Sequence, residues 1–209
     1  RIWDGQIGEL RVLKAHWICD MVNWHFENRK PEWTDMEWQI RCWPFFTWLS
    51  GDHLVEQLCH NIDVCNWIMK TPPESCIGLG GRQVRTGPEY GNIFDHFSVE
   101  YRYPNGLTML AMAAQMYGVT QNVSNTIDGT KGRAYVTRGE ARIEGEKPWT
   151  YEGERSSGDL AMHGALIRSI REKKPLNECR RLAEATLTAI AGRMSTYTGR
   201  ALEYGWALK

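Results

Sequence analysis

Apolar residues recur along this chain at two periods, and the order of those periods predicts its architecture. Ile7 to Cys19 alternates from Glu9 onward like a half-buried strand, entered from a turn at Gly8. Ser50 to Lys70 repeats at helical spacing, with Ser50 or Asp52 as its cap, and Thr71-Pro72-Pro73 ends it because proline cannot donate to the helical ladder. Strand period returns at Ser75 to Leu79. It is clearest in the hairpin His96 to Tyr103, Pro104-Asn105-Gly106, Leu107 to Gln115. Val119 to Ile127 runs into the turn Asp128-Gly129-Thr130-Lys131-Gly132, and three short strands come next at Arg133 to Thr137, Ala141 to Glu144 and Trp149 to Glu152. The tail is helical: Asp159 caps Leu160 to Lys173, Pro175 separates the two, and Glu178 to Tyr197 is closed by Gly199. This order predicts one α+β domain over residues 1–209, a large, mostly antiparallel, open-faced β-sheet with helices on one face. No internal repeat, low-complexity segment or linker interrupts it. The first strand begins almost at residue 1, so the domain opens in mid-sheet, which leads us to expect that something upstream has been removed.

Asp20 to Ser50 fits neither period. It carries nine aromatic rings, counting His25, and Pro31 and Pro44 break any long helix, although Thr34 can cap two turns up to Arg41. So many large aromatics argue against disorder. We read the segment as a lid or wall before the helix; the alternative is that the same rings extend the core. Trp38, Trp43 and Trp48 are its candidate stacking platforms for the apolar faces of sugars.

The helix Ser50 to Lys70 has two chemically different sides. On a wheel of about 100° per residue, Leu54, Val55, Leu58, Ile62, Cys65 and Met69 make an ordinary buried stripe. His53, Glu56, His60, Asp63 and Trp67 share the opposite arc. A merely solvated face is normally rich in Lys, Glu and Gln, whereas this one has no cation and gathers two imidazoles, two carboxylates and an indole. Clustered titratable groups of this kind mark functional sites. His53, Glu56 and His60 also stand at i, i+3 and i+7, so a Zn or Mn site is the competing chemistry.

Composition narrows the field. Hydrophobic residues at 42% and charged residues at 24% suit a soluble globular protein, and a net charge of zero offers no electrostatic case for nucleic acid or an anionic membrane surface. No apolar run reaches the length of a bilayer span, and no signal segment opens the chain, which leaves cytoplasmic and exported locations equally open. Six cysteines show no CxxC pair and read as free thiols, mostly buried. Ten tryptophans are the unusual feature. Gly80 to Gly87 is glycine-rich without spelling GxGxxG, and no helix succeeds it, so a phosphate cradle is a weak reading. Arg82 and Arg85 face either a hydroxyl-rich or anionic ligand or only solvent beside a turn. The candidate substrate contacts are His53, Arg41, Trp38, Trp43, Trp48, Arg82 and Tyr90.

Four motifs in order carry a resemblance over essentially the whole chain. Glu56 to Asp63 (EQLCHNID) resembles D-x-G-x-H-x-x-D; residues 126–136 (TIDGTKGRAYV) resemble I-x-G-T-K-G; residues 7–15 (IGELRVLKA) resemble an opening strand; and residues 95–106 (DHFSVEYRYPNG) fit a strand pair ending in Asn-Gly. These are similar to the C-terminal domain of the glucose–fructose oxidoreductase / inositol dehydrogenase (Gfo/Idh/MocA) family. The resemblance implies an enzyme of two domains, with NAD or NADP bound by an N-terminal Rossmann domain absent from this chain, no cofactor for this chain alone, and a homodimer or homotetramer formed through the sheet. It implies a sugar, polyol or sugar derivative as substrate, with His60 as catalytic histidine and Glu56 in the place of the substrate-binding aspartate. Asp63 matches the aspartate one turn on, and either fixes the His60 tautomer or is a capping or surface residue. Leu58 departs from a frequent Gly, His53 has no counterpart, and Glu146-Lys147-Pro148 falls too late to be the family's Glu-Lys-Pro. Other readings are glycoside cleavage through transient sugar oxidation, a metal-dependent sugar enzyme, and a non-catalytic module that assembles through its sheet.

Overall fold

Alternation along Leu10–Cys19 (β1) sends Leu13 and Ala15 to one face, where both are fully buried. The computed structural model describes residues 1–21, 23–153 and 157–207. The other strands are Ser75–Gly81 (β2), His96–Arg102 (β3), Thr108–Gln115 (β4), Asn122–Gly129 (β5), Gly132–Val136 (β6), Ala141–Gly145 (β7), Trp149–Thr150 (β8) and Leu202–Glu203 (β9). They form one sheet in the order β8-β7-β6-β5-β1-β4-β3-β2-β9. Only β1 and β4 run parallel; every other neighbouring pair is antiparallel. The expected α+β architecture therefore holds.

The helices are Asp35–Arg41 (α1), Thr47–Ser50 (α2), Cys59–Met69 (α3), Gly158–Arg171 (α4), Cys179–Thr198 (α5) and Tyr204–Ala207 (α6). Leu58, Ile62 and Cys65 meet Leu13, Met109 and Val99 in the main core, on the sheet face that α3 and α5 cover. Polar bonds fix the layers as well. Asn61 donates to Asn125 Oδ1 at 2.9 Å, and Asn66, taking the Tyr103 hydroxyl at 2.8 Å, donates to Thr188 Oγ1 on α5 at 3.1 Å. Close approach of α5 to the sheet requires missing side chains, because a Cβ on Gly78 would strike the Thr196 hydroxyl and one on Gly192 the Tyr101 hydroxyl.

Thr34 caps α1 as expected, accepting from Glu37 N at 3.2 Å, and α5 ends on left-handed Gly199. Other expectations need correction. Asp159 does not cap α4; Ser157 holds the cap position and Asp159 sits in the first turn, where its charge still complements the helix dipole. The sheet gains β9 and the tail gains α6, both too short to leave a periodic signature.

The largest correction is the central helix. Gly51 and Asp52 are both left-handed, at φ of 72° and 69°, so α2 ends before the next helix begins. That helix then passes through a π turn at Leu54–Leu58 before settling into α3. A π turn uses one residue more than an α turn, which rotates the residues before it by roughly 100° relative to those after it. His53 is thereby carried off the Glu56–His60 side into the interior, where it is 4% exposed. Asp52 instead ties the helix start to its surroundings. Its carboxylate accepts from Phe94 N at 3.0 Å and from the Tyr197 hydroxyl of α5 at 2.7 Å.

The uncovered sheet face is mixed in character. Leu110 and Met112 do point to it, but they are paired with Lys14 and His16 on one side and with Glu100 and Ser98 on the other.

The packing of α5 and the burial of Asp52 can each be tested through stability. Gly192→Ala should lower the stability measured by urea unfolding by roughly 1–2 kcal/mol, because overpacking of about 1–3 kcal/mol outweighs a helix-propensity gain of about 1 kcal/mol. Burial pushes the Asp52 carboxyl up to about 7, against the pull of its Tyr197 and Phe94 bonds. A folded-state value above the unfolded one means that the native state holds the proton longer, so stability falls as pH rises from about 4 to 7. Asp52→Asn should remove that decline, and parallel urea-midpoint profiles for the two proteins would contradict it.

Candidate active site

The π turn and the first turn of α3 present Glu56 and His60 together at the surface. His60 is exposed, with its ring 5.9 Å from that of Trp17 on β1. Glu56 is half-buried; burial raises its carboxyl above the usual range, and the facing His60 draws it partly back. A base beside a carboxylate, next to an indole face, can take a proton from a hydroxyl while the carboxylate orients a neighbouring one.

Beneath Glu56 lies a small cavity of about 20 Å³. His53, Gln57, Gln115 and Arg85 form its interior, and Trp24 and Pro44 of the aromatic segment close it from above. Arg85, on the β2–β3 connection, is 1% exposed, donates to Gln115 Oε1 at 2.5 Å and lies 5.3 Å over the Phe45 ring. Gln115 Nε2 in turn donates to Gln57 Oε1 at 2.7 Å. The connection is held by Asp95, whose Oδ2 accepts from the backbone N–H of Gln83, Val84 and Arg85 at 2.7, 2.7 and 2.9 Å. Its Oδ1 meets His96 Nδ1 at 2.7 Å. Burial alone would raise the Asp95 carboxyl, but these bonds together hold it below the usual carboxylate range. The glycine-rich stretch thus spends its N–H groups on an internal carboxylate. Among the described residues it offers no cradle to the pyrophosphate of NAD(P).

The other predicted residues separate into groups. Asp63 faces away from His60 and forms a two-pronged ion pair with Arg181 of α5, at 2.9 and 2.5 Å. His53 is buried in the cavity rather than beside His60. Among the described residues no three His, Cys, Asp or Glu groups come close enough to hold a metal ion, so the His53–Glu56–His60 ligand set is not assembled. Arg82 serves its own loop, donating to the carbonyls of Arg85 at 2.6 Å and Gly87 at 3.2 Å. Arg41 is ion-paired with Glu37 at 3.0 Å and lies 4.8 Å over the Trp33 ring. Trp38 and Tyr90 pack with Phe45, Phe46 and Ile93 in a second small core shared by the aromatic segment and the β2–β3 connection. Trp43 stands beside His25, and Trp48 is exposed, with Nε1 donating to Gln39 at 2.7 Å. None of these last four rings lines the cavity.

Sequence reasoning missed Trp17, Trp24, Gln57 and Gln115. The alternation of β1 contained a signal for Trp17, since it lies on the Leu13–Ala15 face. A larger groove of about 510 Å³ runs between Trp3, Trp67, Trp149 and Tyr151, with nearly all-apolar walls that include no predicted site residue except through Trp67 of the same polar arc. Among the described residues no helix is long and apolar enough to cross a membrane.

Solved structures of similar shape include the aldose-aldose oxidoreductase of Caulobacter crescentus complexed with glycerol, at TM-score 0.73 and 16% identity, over 97% of this chain and 58% of that one. Levoglucosan dehydrogenase in complex with NADH and levoglucosan matches at TM-score 0.68 and 15% identity, over 97% and 60%. At such identities the likeness is one of fold. In sequence, the 2,7-anhydro-N-acetylneuraminate hydratase of Escherichia coli (strain K12) is 27% identical over 152 residues, covering 69% of this chain and 36% of that protein. This chain therefore spans about a third of that curated relative and about three fifths of the two solved ones. The sequence pattern of the GFO/IDH/MocA C-terminal domain matches residues 1–135, well over half of the chain, and the chain belongs to that family.

Proposed function

We propose that these residues form the substrate-binding half of an NAD(P)-dependent oxidoreductase acting on a sugar, polyol or sugar derivative, with His60 as the base. The observation that carries this reading is the pairing of exposed His60 with half-buried Glu56 one turn away, beside Trp17 and at the mouth of a polar cavity. His60 accepts the proton of the hydroxyl whose carbon is oxidised, Glu56 orients an adjacent hydroxyl, and the Trp17 and Trp24 rings offer apolar faces to the sugar. NAD(P), which accepts a hydride when bound, is assigned to a domain outside these 209 residues. Asp63 is assigned to holding α3 on α5 through Arg181, and not to the chemistry.

A second reading is favoured by one relative's name. A hydratase adds water, so the same base can serve a reaction with no net redox change, in which a sugar is oxidised transiently and an ether or glycosidic bond is eliminated. Product formation without accumulation of NADH would select this version. We further propose that a second copy covers the uncovered sheet face along Leu110 and Met112; a monomer by light scattering would exclude it.

In the enzyme that includes its cofactor domain, His60→Ala should lower kcat by roughly 10²–10⁴, the usual contribution of a general base. Asp63→Asn should leave kcat within a few-fold and lower stability by less than about 1 kcal/mol, as for a partly exposed ion pair. Turnover of His60→Ala close to wild type would overturn the assignment.

A further inference from the structure

His53 is a buried histidine, and among the described residues neither ring nitrogen makes a hydrogen bond of normal length and angle, although the Asp95 backbone comes near enough to bear on its charge. Its ring is wedged edge-on against Phe97 at 5.1 Å, so packing fixes its position. Burial drives its pKa down to about 3, nearby Arg85 pushes the same way, and the charge and backbone of Asp95 oppose them. The imidazole is therefore neutral at working pH, with one donor and one acceptor to satisfy. Leaving buried polar groups unpaired costs about 1–3 kcal/mol each.

The space that His53 lines has a matching character. At about 20 Å³ it admits one water-sized group and no sugar ring. Arg85 can only donate, so its bond to Gln115 Oε1 fixes the polarity of the whole chain: Gln115 donates to Gln57 Oε1, and the Gln57 amide hydrogens are the next donors. Glu56, on the rim, contributes acceptors. A hydroxyl oxygen both donates and accepts and so satisfies this set. A carboxylate would leave the acceptor nitrogen of His53 unmatched, and an ammonium would leave the donor.

We propose that this cavity is a site for one uncharged hydroxyl oxygen, from water or from a substrate hydroxyl, held between His53 and Glu56, and that through it His53 is a positioning residue for the Glu56 carboxylate. The water form stands on the cavity alone, while the substrate form rests on the sugar reading given above. Groups that face Glu56 and bear on its titration are His60 and the Cys59 thiol; those that face His53 are Arg85, Asp95 and His96.

The test is a crystal structure of the 209-residue chain, grown without polyols, at a resolution that shows ordered water. An oxygen within hydrogen-bond distance of both a His53 nitrogen and Glu56 is expected, and a dry cavity overturns the site. Soaking with levoglucosan then assigns the source: its hydroxyl replaces that oxygen if the site reads substrate, and the oxygen stays in place if it is internal water. Carbon-detected titration of the Glu56 carboxyl tests positioning. His53→Phe removes the donor that reaches the carboxylate through the oxygen and should raise the Glu56 pKa by about one unit. His53→Asn keeps a donor and an acceptor and should return it toward wild type. An unchanged Glu56 titration in His53→Phe overturns the positioning role. Neither measurement depends on turnover, so failure of the His60 chemistry and failure of this site would be told apart.

Discussion

A buried guanidinium has to be compensated, and the candidate site is arranged around the way this chain compensates Arg85. Removing one partner of a buried charge costs far more than the pair contributes, so Arg85 fixes the position of whatever satisfies it. Asp95 supplies the nearest opposing charge and gathers three successive backbone N–H groups, which shapes the connection that carries Arg85 inward. Gln115 at the end of β4 and Gln57 in the π turn come next in series. One ion thereby locks together a loop, a strand end and the helix that presents Glu56. The aromatic segment completes the enclosure through Phe45 beneath the guanidinium plane and Trp24 and Pro44 above the cavity.

The π turn is the second constraint, and it explains why two histidines seven residues apart have different environments. In an unbroken α-helix His53 and His60 would share a face. The additional residue in the turn sends His53 inward, so that it contributes a neutral polar group to the cavity while His60 stays exposed to solvent. Leu54 and Leu58, which bound the turn, are both fully buried. π turns recur at functional sites for this reason: they re-aim side chains without ending the helix.

The sheet was legible because its signals are local. Alternation in β3 and β4 with Pro104-Asn105-Gly106 between them specifies a hairpin without reference to anything distant, and Thr34 announces α1 by its own side chain. The juxtaposition of Glu56 and His60 was legible because a separation of four residues keeps two side chains on one helix face, although Glu56 itself lies within the π turn. His53 was misplaced because nothing in Leu54–Leu58 marks the wider turn. Arg85 gave no clue to its burial, since that depends on Asp95 ten residues later and Gln115 thirty residues later. Composition leaves open whether Trp38 faces ligand or core, because it cannot show that the aromatic segment will pack Phe45 and Phe46 against Tyr90 and Ile93, some forty residues further on.

If the proposed function holds, these placements also bear on how the work of an oxidoreductase is divided between domains. Binding a dinucleotide needs free backbone N–H groups around a pyrophosphate, and the glycine-rich stretch, the natural candidate to provide them, has closed on Asp95. What the chain keeps available is different in kind: an exposed imidazole, a carboxylate whose protonation is poised by partial burial, and two indole faces. In the proposed function that set reads hydroxyls and moves a proton, and the hydride is assigned to a cofactor held elsewhere. On the proposed reading these groups make a half-site of acid–base and sugar-facing side chains, and its redox partner approaches from the solvent side of His60.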